Sequence, residues 1–193
     1  MGLLSRVKGV LLAPDIEWRR IAREDSKPSE LLLTYVAVLA AIPAVADFLG
    51  MTLIGFTLPN GRVARVDYLS GFMIAAFGYA MAFAVVAILA GITHMLTPTF
   101  GAARDLPTAY KLVVYSLTPM WLAGIFLLVP GLHFLIMLGL YGLYLMFKGI
   151  QVLMRTTAEN AFLFAGIVTI CSVVIALIVG VTRAKLFSLP GII

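Results

Sequence analysis

The stretch LSGFMIAAFGYAMAFAVVAILAGITHML, Leu69 to Leu96, contains no Asp, Glu, Lys or Arg. At about 1.5 Å of rise per residue a helix over it outruns a hydrocarbon core about 30 Å thick. Four similar runs flank it: Leu31 to Leu49, Lys111 to Val129, Leu132 to Phe147 and Ala161 to Val181. Together they predict an all-α integral membrane protein with five transmembrane helices. Hydrophobic residues make up 62% of the chain and charged ones 12%, too few polar side chains to cover a water-facing surface.

With 193 residues, the spans and their short connections leave room for one domain. The division expected is an N-terminal segment (1–30), a five-helix domain (31–185) and a tail (186–193). The net charge of +5 comes from Lys and Arg at the ends of apolar runs. Membrane topology explains that pattern, so nucleic acid is not implied. Arg6, Lys8, Arg19, Arg20, Arg23, Lys27, Arg104, Lys111, Lys148 and Arg155 fall on one side of the membrane, and Arg62, Arg65, Arg183 and Lys185 on the other. The positive-inside rule then predicts a cytoplasmic N-terminus and an external C-terminus.

In MGLLSRVKGVLL, residues 1–12, Arg6 and Lys8 interrupt the apolar part and no small-residue cleavage pattern follows, which argues against a signal peptide. Leu3, Leu4, Val7, Val10 and Leu11 recur at helical spacing, predicting a short amphipathic helix on the anionic inner leaflet. Trp18 beside Arg19 and Arg20 reads as an interface anchor.

Pro130 and Gly131 are the only breakers between the third and fourth runs and predict a tight helical hairpin. Pro59, Asn60 and Gly61 signal a turn in the first connection, where a small hairpin or cap could form. Pro43 and Pro119 break the backbone pattern of the first and third spans, and Ser116 and Thr118 are placed to re-satisfy the second break.

Gly71, Ala75, Gly78 and Ala82 form one small-residue stripe on the second span, and Gly142 and Gly149 share a face of the fourth. Close helix packing is their expected role. Asp47 is the one carboxylate well inside an apolar run, and such a group needs a partner or water. His133, Arg62 and Arg65 lie on its side of the membrane and are the expected partners. A proton or cation site using Asp47 and His133 is the sharper alternative. His94 falls near the opposite end of the second span, so the two histidines cannot share a metal ion. The lone cysteine, Cys171, excludes an internal disulfide and reads as a small core residue. Paired carboxylates, nucleophile–base pairs and phosphate-cradling loops are missing, so neither an enzyme nor a cofactor is expected.

The stretch from Tyr141 to Ala161, YGLYLMFKGIQVLMRTTAENA, resembles the signature of Yip1-domain membrane proteins. Tyr141, Tyr144, Gly149, Leu153, Met154, Glu159 and Ala161 fit it, and Tyr115, Pro119 and Pro130 look like family positions. Pro14, Trp18, Ile21 and Ile42-Pro43-Ala44 are similar to the small bacterial branch. The resemblance implies five spans, an N-inside layout and a bacterial inner membrane. Gln151 and Thr157 stand where the family often has proline, which predicts a more helical inner connection. The long polar N-terminal region of eukaryotic members is absent, which weakens any carry-over of small-GTPase binding or vesicle trafficking.

On physical grounds Tyr141 and Tyr144 are expected to pack and hydrogen-bond against the third or fifth span. Lys148 and the turn Arg155 to Asn160, with Glu159, form the exposed surface where a partner is expected. The leading expectation is a non-enzymatic protein that organises the membrane or scaffolds a membrane-protein partner, alone or as a homo-oligomer. The alternatives are a small-solute or ion transporter built on Asp47, His133 and the broken spans, and a lipid-handling protein.

Overall fold

The computed structural model describes residues 2–57, 61–101 and 105–187. Two short helices come first, α1 (Leu3–Leu12) and α2 (Pro14–Ile21). Five helices long and apolar enough to cross a membrane follow: Pro28–Ile54, Tyr68–Phe100, Leu106–Leu128, Gly131–Leu153 and Ala158–Leu186. They are called the first to fifth spans. Because the number is odd, the two termini of the bundle face opposite sides, here the N-side and the far side.

The third span is central. Buried residues make up 61% of its apolar window, against 17% for the second and fifth spans. It packs against the first, second and fourth, while the fifth closes the bundle against the second and fourth. Leu112, Val113 and Val114 are fully buried, together with Val36, Leu89, Leu145 and Phe164 from the other four spans.

Small residues set the crossings. A Cβ at Gly124 would lie 2.5 Å from Pro43 Cβ, one at Gly142 would meet the Ser116 carbonyl, and one at Gly149 would lie 2.6 Å from Leu112 Cδ1. On the second span only the start of the small-residue stripe behaves this way. Gly71 faces Thr52 and Phe48 of the first span, whereas Gly78 is exposed with open space before it. Ala75 and Ala82 are half-buried. The expected continuous packing stripe is therefore confined to one end.

Pro43 sits inside the first span, which also contains wider π turns at Leu32–Val36 and Gly50–Ile54. The third span breaks at Leu117, because Pro119 cannot supply a backbone donor, and resumes at Thr118–Ala123. The hydroxyls at this break act differently from expectation. Thr118 Oγ1 lies 2.9 Å from Tyr35 Oη across the bundle, while Ser116 Oγ is buried with no partner among the described residues.

The reversal between third and fourth spans is made by extended Val129, the backbone state that a following proline favours. Pro130 opens the next helical turns instead of merely ending the previous ones. The first connection forms a two-stranded antiparallel ribbon, β1 (Phe56–Thr57) with β2 (Val63–Ala64). Its expected turn residues Pro59 and Asn60, like Arg104 in the second connection, lie outside the described residues. Gly61 is described, with a φ of +80° that suits glycine.

The connection expected to be more helical is helical as far as Leu153. The fourth span runs through Gln151 to Leu153, but Arg155 then takes a left-handed backbone (φ 50°) and Thr157 caps the fifth span through Asn160 N–H.

Candidate functional site

On the N-side, α1 and α2 fold back on each other around Ala13. A Cβ at Gly9 would lie 2.6 Å from the Glu17 carboxyl, so glycine is what lets the pair close. Arg6 is 7% exposed and lies in this seam. Its Nη1 donates to Glu17 Oε1 at 2.5 Å and its Nη2 to both oxygens of Glu24. Glu17, 2% exposed, also accepts from Arg20 at 3.0 Å. A buried guanidinium or carboxylate without such a partner would carry several kcal/mol of desolvation cost. The pairing is thus a condition for folding this segment onto the bundle.

Beneath Arg6 lies an aromatic stack. Its guanidinium carbon is 5.5 Å from the Tyr115 ring centroid, and Tyr115 meets Tyr35 at 5.0 Å and Trp18 at 6.2 Å, both edge to face. Trp18 is only 1% exposed, with its indole carbon Cζ2 2.7 Å from where a Cβ at Gly149 would lie. It is a core residue, not the interface anchor that its basic neighbours suggested. Lys111, also buried, donates to the carbonyls of Ile21 and Glu24 and so caps the end of α2. A cavity of about 440 Å³ opens beside this cluster, lined by Arg6, Glu24, Asp25, Glu30, Tyr35 and Tyr115 among others.

Tyr141, expected against the third or fifth span, meets α1 instead, and Lys148, expected on an exposed surface, meets α2. Tyr141 Oη donates to the Leu11 carbonyl at 3.0 Å. Lys148 Nζ pairs with Asp15 at 3.0 Å and lies 5.7 Å from the Tyr144 ring centroid. With Gly149 under Trp18, three of these positions form one socket for the N-terminal helix pair, and Tyr144 stacks beside Tyr141 and Lys148. Arg155 and Glu159 are exposed beyond it, on the same side.

On the far side, Asp47 pairs with neither Arg62 nor Arg65. Its Oδ2 accepts from Arg183 Nη2 at 2.7 Å, joining the first span to the fifth. The same nitrogen lies 3.6 Å from Met51 Sδ. The apolar run ends at Val181, but the fifth helix continues to Leu186 and brings Arg183 into reach. Arg62 and Arg65 are exposed on the ribbon. His133 is exposed with Nε2 3.4 Å from the Leu127 carbonyl, and makes no hydrogen bond to Asp47. His94 Nδ1 is buried without a partner among the described residues. Cys171 is half-buried on the fifth span. No group of three potential metal ligands occurs among the described residues.

The residues that sequence reasoning missed are Arg6, Glu17, Glu24 and Arg183. An acidic residue eleven positions after Arg6 across a Pro-initiated turn was the available signal for a helix pair. Nothing in the sequence linked Arg183 to Asp47, since they are 136 positions apart.

A helical bundle of five apolar spans with a charged helix pair locked into one end defines an integral, polytopic membrane protein. The model of the Yip1 domain matches residues 8–180, beginning inside α1, and the chain belongs to this family. The chain is similar to the inner membrane protein YohC of Escherichia coli K12, 26% identical over 166 residues that cover 84% of this chain and 85% of that protein. The protein of the same name in Escherichia coli O6:H1 matches equally. No solved structure matches.

Proposed function

We propose that this chain is a non-enzymatic scaffold of a bacterial inner membrane, with its N-terminus in the cytoplasm, that holds a membrane-protein partner at its N-side surface. The observation carrying this reading is the locking of α1 and α2 into the bundle by Arg6, Trp18 and Lys111. A segment fixed in this way presents exposed Arg20, Arg23, Arg155 and Glu159 in a constant arrangement, as a docking surface requires. The name of the similar inner membrane protein and the Lys and Arg distribution support the location and orientation.

The transport reading has less support. Asp47, its central residue, is bound to Arg183 in an interspan ion pair. Site-specific photo-crosslinking in living cells from positions 23 and 155 tests the scaffold directly. A discrete adduct with one membrane protein, lost on Arg6→Leu, is the expected result. Absence of protein adducts, together with solute or ion flux through the purified protein in liposomes that Asp47→Asn abolishes, would replace scaffolding by transport.

A further inference from the structure

The contacts of α1 and α2 give the depth of each of their ends. The open end of the pair lies at the level where the spans begin: Leu3 shares a cavity with Glu30, Leu31 and Thr34, and the carbonyls of Ile21 and Glu24 meet Lys111. The closed end lies elsewhere. Leu11, next to the turn at Ala13, shares a crevice with Pro119, Leu122, Leu138 and Tyr141, and its carbonyl receives the Tyr141 hydroxyl. Between these levels, Asp15 meets Lys148. Seven residues of the fourth span separate Lys148 from Tyr141, and eight of the third separate Lys111 from Pro119. At ~1.5 Å per residue the Tyr141 and Pro119 positions that meet Leu11 lie ~10–12 Å further along the spans than the backbone of the two lysines.

We propose that α1 and α2 form a re-entrant hairpin whose turn, residues 11–16, is immersed among the acyl chains of the N-side leaflet instead of resting on its headgroups. Half of a hydrocarbon core is about 15 Å, so the hairpin enters one leaflet and stops. Its surface fits that position. Leu12 and Ile16, at the turn, are 82% and 66% exposed, and Leu11 beside them lines the crevice of the third and fourth spans. Of the polar groups, Asp15, its side chain 60% exposed, is paired with Lys148, while Arg19, Arg20 and Arg23 follow on the returning arm toward the open end. Lys8 has a stem long enough to direct its ammonium the same way. At the turn itself the Ala13 peptide groups are satisfied, its N–H donating to the Gly9 carbonyl and its carbonyl accepting from the Ile16 and Glu17 N–H groups. The bundle is consequently wider in one leaflet than in the other.

This inference concerns the leaflet on the N-side, whichever compartment that side faces, and stands apart from the scaffold reading. In a Cys171→Ala background, nitroxide labels at Leu12→Cys, Arg23→Cys and lipid-facing Leu143→Cys would be compared by electron paramagnetic resonance. The full chain would be reconstituted in phosphatidylethanolamine and phosphatidylglycerol vesicles. The label at 12 should match the one at 143, with oxygen accessibility high and nickel-chelate accessibility several-fold below that at 23. Equal nickel accessibility at 12 and 23 would overturn the proposal. A second variant, Asp15→Cys with Lys148→Cys, checks docking under the same conditions. A short homobifunctional thiol cross-linker, spanning the length that the Asp and Lys side chains fill, should bridge the two cysteines, and its failure to do so would equally refute the hairpin as placed here.

Discussion

The two ends of the bundle each hold an ion pair, one buried and one partly exposed. On the N-side, Arg6 and Glu17 have side chains 8% and 3% exposed, and every charge has more than one partner. On the far side, Arg183 and Asp47 are 37% and 14% exposed and share one ion pair, with Met51 Sδ as the second neighbour of Arg183. The first arrangement is a buried network, whose loss strands a charge in a low-dielectric interior. The second is a clamp between two spans that solvent and headgroups can partly replace. The comparison assigns structural commitment to the N-side and tolerance to the far side, the reverse of what a lone intramembrane carboxylate at Asp47 suggests.

Breaking the N-side network should have the largest effect. Arg6→Leu leaves buried Glu17 with only the half-exposed Arg20 as a partner and takes the guanidinium from Glu24, at a cost of up to about 3–5 kcal/mol. The thermal midpoint in detergent micelles should fall strongly, and limited proteolysis should cut before the first span. The double variant Arg6→Leu with Glu17→Leu removes both charges and should recover much of the loss. A single variant as stable as the parent would show that the helix pair is held by packing alone.

Next in size is the Trp18 socket. Gly149→Val places carbon atoms where Trp18 and Leu112 already are, and overpacking of this kind costs typically about 1–3 kcal/mol. If Trp18 is the neighbour that matters, Trp18→Leu should soften the penalty of Gly149→Val, so that the two changes are less than additive in thermal melts. Full additivity would place the strain at Leu112 instead.

Asp47→Asn and Arg183→Gln should be milder, within about 1 kcal/mol each, because the pair is partly exposed. The two single variants and the double variant should melt within a few degrees of one another. A loss at Asp47 as large as that at Arg6 would erase the distinction between the two ends.

The number and class of the spans were legible because apolar length is a local property, written without interruption from Leu69 to Leu96. The hairpin reversal at Pro130 was legible for the same reason. What the sequence did not disclose was partnership. Trp18 beside two arginines has the local pattern of an interface residue, and only the fold places Gly149 beneath it. Arg183 follows the last apolar residue and reads as a flanking charge, yet helix continuation to Leu186 makes it an internal partner. Tyr141 and Lys148 were recognisable as a pattern, but their contacts come from a segment more than a hundred residues upstream. Local physics gave the elements, and long-range pairing decided what each polar residue is for.

The smallest expected effect belongs to a fully exposed charge outside the bundle and sets a baseline for the others. Asp67 caps the second span, accepting from Ser70 N–H at 2.9 Å, and the bonds to Ser70 hold its carboxyl below the ordinary range. A carboxyl depressed in the folded state stabilises above its unfolded value, and that contribution is lost as pH falls through the folded one, here below about 4. Backbone amides at Tyr68 to Phe72 should therefore exchange hydrogen faster, relative to intrinsic rates, at pH 3 than at pH 6. Asp67→Asn keeps the cap without the titration and should make the two relative rates equal. Since Asp67 touches neither buried ion pair, the thermal midpoint of this variant should match the parent at neutral pH. A drop comparable to that of Arg183→Gln would mean that the far-side clamp contributes no more than an ordinary helix cap.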